Sequence, residues 1–189
     1  MEPIVDVRRS LRLPGYDYGR PGSYFVTICN ADRKCSLGKI VDEEMSLSAT
    51  GEIARDLWQS LPERHEALSL DEFVVMPNHI HGIIELTEHC QKVPSVVGAY
   101  KSLSTKAINV ANATPGGQFW QRSYHEHVIR DERARDRIRE YIRNNPLKWH
   151  LDRENPVISA AVRRAGRAPP LQLDRLITPC SSANSPPPS

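Results

Sequence analysis

The stretch that most constrains the fold of this chain covers residues 71 to 86 and reads DEFVVMPNHIHGIIEL. An apolar run meets a Pro-Asn turn signal and is followed by a second run of strand-forming residues, which predicts two short strands joined by a tight turn. Side chains alternate between the faces of a strand, so His79 and His81 share one face, roughly 6 to 7 Å apart, and Ile80 and Ile84 share the other. Two neutral imidazoles at that spacing can bind one metal ion. The same pair is also typical of a partly exposed strand surface, and other residues must decide between the two.

Length and composition limit the class of protein. The chain has 189 residues, 39% of them hydrophobic, which suits one domain with a proper core and some excess. Its cysteines form no CxxC pair, which argues against a disulfide framework or a structural zinc site; they are Cys29, Cys35, Cys90 and Cys180. No apolar run is long enough to span a membrane and the N-terminus lacks a signal-peptide core, so we expect a cytoplasmic protein with no membrane partner.

The net charge of +2 is unevenly distributed along the chain. Residues 157 to 189 carry four arginines and one aspartate, a charge of +3 that leaves −1 for residues 1 to 156. A nucleic acid would therefore have to bind a local basic patch rather than an overall basic field.

The chain divides into three parts. Residues 1 to 22 form a basic, aromatic N-terminal arm, residues 23 to 156 hold the predicted elements, and residues 157 to 189 are rich in Pro, Ser and Arg and are predicted to be disordered. The predicted elements are a strand at 23–29, a hairpin at 38–47 turning at 42–44, a helix N-capped by Thr50 and ending near Pro62, the central strand pair, a helix at 95–110 after a bend containing Pro94, a strand at 119–129, and a helix at about 131–144 N-capped by Asp131.

This order of elements predicts an α+β fold with a ferredoxin-like antiparallel sheet and helices on one face. The other sheet face then stays open, and the C-terminal helix could lie across it and bring a further group to the two histidines. Tyr141 is the candidate on that helix. Asn145 lies four residues on and would share its face if the helix extends that far, so a metal held by the imidazoles could also take an amide oxygen.

Four stretches in the same order carry a more specific resemblance. RRSLRLPGYDYGRPGSYFVTIC, PNHIHG, WQRSYHEHVIRDE and REYIRNNPLKW together resemble the single-tyrosine HUH transposases, in particular the group similar to REP-associated tyrosine transposases. The resemblance covers about residues 8 to 156, which is the arm and the predicted catalytic domain. The tail from residue 157 matches nothing in the family.

The resemblance implies a chemistry and a set of site residues. His79 and His81 correspond to the HUH metal ligands, Tyr141 to the nucleophile, and Asn145 to a third, amide-bearing ligand. Such an enzyme cleaves and rejoins hairpin or palindromic single-stranded DNA through a 5′-phosphotyrosine. Two imidazoles favour zinc or another late transition ion, whereas the family uses Mg²⁺ or Mn²⁺, and we follow the family. DNA binding would associate the protein with the nucleoid. The resemblance does not decide whether the protein acts as a monomer or as a homodimer.

Basic residues near the predicted site are candidate DNA contacts, although each is also explained as a solvated surface charge. They are Arg8, Arg9, Arg12, Arg122, Arg137 and Lys148. Lys101 and Lys106 on the second helix are weaker candidates of the same kind. His125 and His127, on the strand beside the site, are expected to be structural rather than ligands.

Three other functions compete with this one. A histidine-triad nucleotide hydrolase would need a histidine where this chain has Ile83. An RNA-binding ferredoxin-like module would need stacking aromatic residues on its two central strands, and the histidine strand has none. A domesticated protein that binds DNA without transposition activity is harder to exclude, and only the presence of His79, His81 and Tyr141 argues against it.

Overall fold

The structure is a computed structural model that describes residues 19–87, 92–152 and 154–158. The predicted arm and tail therefore fall mostly outside the described residues. Along the chain the strands and helices are β1 (Gly22–Cys29), β2 (Gly38–Val41), β3 (Glu44–Leu47), α1 (Ala49–Gln59), α2 (Leu61–Arg64), β4 (Leu68–Val75), β5 (His79–Leu86), α3 (Val93–Ala111), β6 (His125–Ile129) and α4 (Glu132–Arg143), followed by a 3-10 turn at Trp149–Leu151. In the described part of the chain no helix is long and apolar enough to cross a membrane.

The main sheet has four strands in the order β4-β5-β1-β6, and every neighbouring pair is antiparallel. With α1 between β1 and β4 and α3 between β5 and β6, this is the predicted ferredoxin-like topology. β2 and β3 form a separate hairpin, whose two turn residues, Asp42 and Glu43, both have positive φ, as a tight hairpin turn requires.

Apolar side chains cover both faces of the sheet. One face packs against α1 and α3 in the main core, where Trp58 of α1 lies over Gly82. On the other face Phe25 and Ile83 pack against Ile138 and Ile142 of α4, whose spacing of four residues places them on one side of that helix. The prediction of a C-terminal helix across the open face is confirmed.

The elements differ from the prediction at their ends. β4 begins at Leu68, before the predicted strand, because a bulge accommodates Asp71 and Glu72 within the ladder. Ser48, not Thr50, caps α1 through its side-chain oxygen. Pro94 lies in the first turn of α3, where the missing N–H costs nothing. Residues 119–124, predicted as strand, precede β6 as an irregular segment with one bridge, Asn30 to Trp120.

Candidate active site

The two histidines of β5 lie side by side on the sheet face that α4 covers. Their Nε2 atoms are 3.0 Å apart, and His79 is 0% and His81 4% exposed. Ile80 and Ile84, on the opposite face, belong to the main core and fix the strand from below. Alternation along one buried strand therefore places both imidazoles in one pocket, as the sequence predicts.

Hydrogen bonds to the Nδ1 atoms orient both rings. Asn78 uses its amide nitrogen to donate to the carbonyls of Arg33 and Glu154, so its Oδ1 is the acceptor for Nδ1–H of His79 at 2.9 Å. The Nε2 lone pair of His79 is then directed into the pocket. His81 contacts the Thr27 hydroxyl through Nδ1 at 2.8 Å. Outer contacts of this kind fix the orientation of metal-binding imidazoles.

Both imidazoles are neutral at physiological pH. Burial lowers the pKa of His79 to about 3. Burial also lowers the pKa of His81 well below its ordinary value; His79 and His125 add to that effect, and the Asp152 carboxylate opposes it. Neutral imidazole is the form that binds a metal ion.

A carboxylate that the sequence analysis missed completes the cluster. Asp152 lies after the 3-10 turn that follows α4, with its Oδ2 3.7 Å from Nε2 of His79. One ligand atom from each of His79, His81 and Asp152 lies within 4.8 Å of the others. The turn is held by the Glu154 N–H, which donates to Asp152 at 2.7 Å, and by the bond from Asn78 to the Glu154 carbonyl. No spacing in the sequence marks this aspartate, because its place depends on that long-range bond.

The phenol of Tyr141 reaches the same pocket from α4. Its hydroxyl is 3.3 Å from Nε2 of His81, and its ring packs edge-on against Phe25 at 6.1 Å between centroids. Burial raises the pKa of Tyr141 and the Asp152 carboxylate raises it further, while a hydrogen bond from the Asn145 side chain acts in the opposite direction. The phenol is therefore protonated at neutral pH.

Asn145 lies beside this pocket but not on the helix. α4 ends at Arg143, and the N–H of Asn145 donates to the carbonyl of Ile142 in the turn that follows. The side chain is 3% exposed, and its Oδ1 has no hydrogen-bond partner in the part of the chain that the structure describes. A buried amide oxygen without a partner costs free energy, and a bound ligand at this position would offset that cost.

Ion pairs fix α4 across the sheet. Arg135 reaches Glu85 of β5 at 3.1 Å, Arg139 reaches Asp71 at 2.8 Å, and Arg143 reaches Glu72 at 2.7 Å. The three arginines are four residues apart and so line one side of the helix. Because of the bulge in β4, Asp71 and Glu72 both stand opposite Ile83 and can both turn toward α4. We call these three pairs the arginine ladder.

The other predicted residues are spread more widely. Arg137 is exposed on α4 and Lys148 is exposed in the turn after it. Arg122 is exposed on the segment before β6, on one wall of a groove beside α3. His125 and His127 lie on β6 opposite Thr27 and Phe25, outside the His-His-Asp cluster. Arg8, Arg9 and Arg12 lie outside the described residues.

The donor atoms fit a divalent metal ion. Two neutral imidazole nitrogens and one carboxylate oxygen converge, and the unpartnered amide oxygen of Asn145 belongs to a side chain that hydrogen-bonds the Tyr141 phenol. Carboxylate and amide oxygens are the donors that Mg²⁺ and Mn²⁺ prefer. Two imidazoles with one carboxylate are also a zinc donor set, so the cluster suits any of these divalent ions.

Comparison with known proteins identifies the family. The family model described as "Transposase IS200 like" matches residues 24–145. This chain belongs to the IS200-like transposase family. An uncharacterised protein of Haemophilus influenzae is 36% identical to it over 166 residues, which cover 77% of this chain and 91% of that protein.

A solved structure shares the fold of this IS200-like transposase. It is a REP-associated tyrosine transposase bound to a REP hairpin, with a TM-score of 0.55 and 22% identity over 71% of this chain and 72% of that one. The predicted resemblance to single-tyrosine transposases is thus confirmed for the family and the fold. The roles of individual residues stay predictions.

Proposed function

We propose that this protein is a metal-dependent endonuclease and strand transferase that cuts and rejoins single-stranded DNA, with Tyr141 as its nucleophile. The observation that carries the proposal is the position of the phenol, 3.3 Å from His81 at the edge of a buried His-His-Asp cluster. Attack by the phenol oxygen forms a bond to the 5′ phosphorus and breaks the bond to the 3′ oxygen. The phenol loses its proton as the new bond forms and the departing 3′ oxygen gains one to become a hydroxyl, so the step is balanced, and the phosphotyrosine keeps the bond energy for rejoining without ATP.

His79, His81 and Asp152 would hold the metal, with Asn145 able to add its amide oxygen. When bound, a divalent cation would offset the charge of Asp152 and polarise the scissile phosphate. The protein's own residues orient the ligands and position the nucleophile. Asn78 and Thr27 orient the imidazoles, α4 delivers the phenol, and the Asn145 side chain favours its ionised form.

A hairpin-bearing single strand is the proposed substrate. The solved transposase with the same fold is bound to a hairpin, which supports this choice. The strand at a cleavage site must be unpaired to enter the pocket between the sheet and α4, while a neighbouring stem offers shape and phosphates. Exposed Arg137 and Lys148, on α4 and just beyond it, are proposed contacts to the cut strand, and Arg8, Arg9 and Arg12 are proposed contacts from the arm.

The test is covalent capture on the full chain. Wild-type protein, Mn²⁺ and a labelled hairpin-bearing strand from the flanks of its own gene should give a denaturant-resistant adduct and a free 3′-hydroxyl. Tyr141→Phe should bind the strand equally well and give no adduct, because only the nucleophilic oxygen is lost. Tyr124→Phe is the matched control, since that phenol bonds Glu126 on β6, and it should keep full adduct formation.

Two results would contradict the proposal. An adduct that persists in Tyr141→Phe and disappears in Tyr124→Phe would move the nucleophile to the segment before β6. Tight binding by the wild type with no adduct at any metal concentration would instead favour a DNA-binding protein of this fold that has lost its chemistry.

A further inference from the structure

One buried amide joins three parts of the candidate metal site. Asn78 lies in the turn between β4 and β5 and is 1% exposed. Its Oδ1 accepts the Nδ1–H of His79 at 2.9 Å, and its Nδ2 donates to the carbonyls of Arg33 and Glu154 at 2.9 and 2.6 Å. The oxygen of the amide and both hydrogens of its nitrogen are therefore in use. Asn78 thus links an imidazole of β5 to the loop after β1 and to the segment after α4.

The segment after α4 closes over His79. It comprises residues 149–152 and 154–155, which we call the clasp. The ring of Trp149 lies 6.1 Å from the imidazole of His79 between centroids, and Oδ2 of Asp152 lies 3.7 Å from the Nε2 of that imidazole. His79 is 0% exposed beneath these contacts. The clasp therefore supplies one proposed metal ligand and covers another.

Glu154 attaches the clasp to the turn and the loop beside the sheet. Its carbonyl accepts from Asn78 at 2.6 Å, and its carboxylate lies 3.6 Å from the guanidinium of Arg33, whose side chain is 40% exposed. An ion pair of that length and exposure contributes little to stability. When the clasp opens, by contrast, an N–H of the buried Asn78 amide loses its acceptor, which costs free energy. The polar attachment of the clasp therefore depends mainly on Asn78.

We propose that Asn78 is a positioning residue that couples metal binding to the closing of the clasp. One amide orients the imidazole of His79 and, through the carbonyl of Glu154, holds Asp152 against it, so a metal ion bound by both side chains favours the closed clasp. By linkage, closing the clasp raises the metal affinity by the same factor. The inference rests on the metal site of the proposed function and adds the device that sets its affinity.

Asn78→Asp separates the two roles of the amide. The new carboxylate keeps an acceptor for the Nδ1–H of His79 but has no N–H for the carbonyls of Arg33 and Glu154. If Asn78 only oriented His79, this variant would bind Mn²⁺ as tightly as the wild type or more tightly, because a carboxylate behind a metal-binding imidazole raises its basicity. If Asn78 also holds the clasp, Mn²⁺ binding should weaken by about tenfold or more. Calorimetric titration of the full chain without DNA measures the sign.

The matched control is Asn30→Asp, the same substitution at another amide that is 1% exposed. The Nδ2 of Asn30 donates to the carbonyl of Lys34 and to the hydroxyl of Ser36, so this amide serves the loop after β1 and not the clasp. The control should keep the wild-type affinity for Mn²⁺. Urea unfolding of both variants in EDTA gives their stabilities, so that a general loss of folding is distinguished from a loss of the metal site.

A double variant tests whether Asn78 acts through the clasp. Asn78→Asp combined with Asp152→Asn should bind Mn²⁺ no more weakly than Asp152→Asn alone, because the closed clasp then has no carboxylate to bring to the metal. A merely structural role of Asn78 would instead add its own loss to that of Asp152. Such additive losses would contradict the inference.

Hydrogen exchange of the wild type gives a measurement that does not depend on the Asn78 variant. The N–H groups of Leu151, Glu154 and Asn155 are hydrogen-bonded within the segment after α4, and Mn²⁺ should slow their exchange. In Asp152→Asn, Mn²⁺ should leave this exchange unchanged, because the ion no longer contacts the clasp.

Two results would overturn the inference: an Asn78→Asp variant that binds Mn²⁺ as tightly as the wild type or more tightly, or clasp amides of the wild type whose exchange does not respond to Mn²⁺. Covalent capture of DNA by the wild type is scored separately. The expected changes in Mn²⁺ affinity and exchange without any adduct would uphold the role of Asn78 and reject the catalytic proposal. An adduct together with either overturning result would do the reverse.

Discussion

The Nε2 atoms of His79 and His81 face each other across 3.0 Å. Asn78 requires the proton of His79 on Nδ1, so the Nε2 of His79 accepts in this contact and the Nε2 of His81 must donate. The Thr27 hydroxyl then donates to His81. Binding of a metal by both nitrogens would reverse that last hydrogen bond, with Nδ1 of His81 donating to Thr27. One hydroxyl that can donate or accept accommodates both states.

Metal affinity should depend on Asp152. Asp152→Asn is expected to weaken Mn²⁺ binding by about tenfold or more, because ligand charge sets the affinity of oxygen-containing sites. Asn145→Ala should weaken it less, since only a neutral donor is lost. Calorimetric titration of Mn²⁺ into protein without DNA measures both, and Asp56→Asn, an exposed carboxylate on α1, is the control. Unchanged affinity in Asp152→Asn, with binding abolished in His79→Ala, would exclude the aspartate as a ligand.

Acid should destabilise the metal-free protein as the pH falls from about 6.5 toward 3. The pKa of His79 is about 3 in the folded protein and about 6.5 in an unfolded chain. Between these values only the unfolded state binds the proton, so the free energy of unfolding falls as the pH falls, by about 1.4 kcal/mol per pH unit for one such histidine. His81 adds an effect of the same sign.

Urea unfolding in EDTA at several pH values tests this dependence. His79→Asn should flatten the fall in stability below pH 6.5, and His150→Asn, at an exposed position, should not. An equally steep fall in the His79 variant would mean that other groups carry the pH dependence.

The arginine ladder should position Tyr141 rather than bind DNA. Arg139 and Asp71 are 27% and 18% exposed, so their pair contributes to stability only about 1 kcal/mol. Asp71→Asn and Arg139→Gln should each slow adduct formation severalfold and leave hairpin affinity unchanged. The double variant should be no slower than Arg139→Gln alone, because that variant has already lost the contact with Asp71. Arg55→Gln with Asp56→Asn, an exposed pair within α1, is the control. Additive losses would show that the two residues act independently.

The sequence predicts those features of the site that depend on the periodicity of strands and helices. The apolar residues of β5 recur every second position and those of α4 every three to four positions. These patterns fix which face of β5 carries His79 and His81 and which face of α4 carries Tyr141, and the two faces meet as expected. Asp152 could not be predicted, because it reaches the pocket through a hydrogen bond from Asn78 to a carbonyl 76 residues away. Residues 119–124 resemble a strand in composition. The carbonyls of residues 121–123, however, accept hydrogen bonds from the amine of Lys101 rather than from a neighbouring strand.

The bulge in β4 shows the same limit. The acidic pair Asp71 and Glu72, directly before an apolar run, is typical of residues that precede a strand. Nothing in the local sequence indicates that both side chains turn toward α4. Only the arginines of α4, far along the chain, explain why Asp71 and Glu72 lie inside the ladder rather than before it.

The glycine that follows His81 should prove essential for packing. A Cβ on Gly82 would lie 2.5 Å from the ring of Trp58 and 3.2 Å from the Cβ of Phe73, so a methyl group there must displace the indole. Gly82→Ala is expected to cost about 1 to 3 kcal/mol, as overpacking in a core usually does.

Gly98→Ala is the matched control: nothing lies within 4 Å of its Cβ position, and it lies within α3, so alanine should stabilise the protein by about 0.5 to 1 kcal/mol. Thermal unfolding of both variants should therefore shift in opposite directions. An unchanged melting temperature in Gly82→Ala would mean that Trp58 can move at no cost, and that the close packing of α1 on the histidine strand does not hold the site.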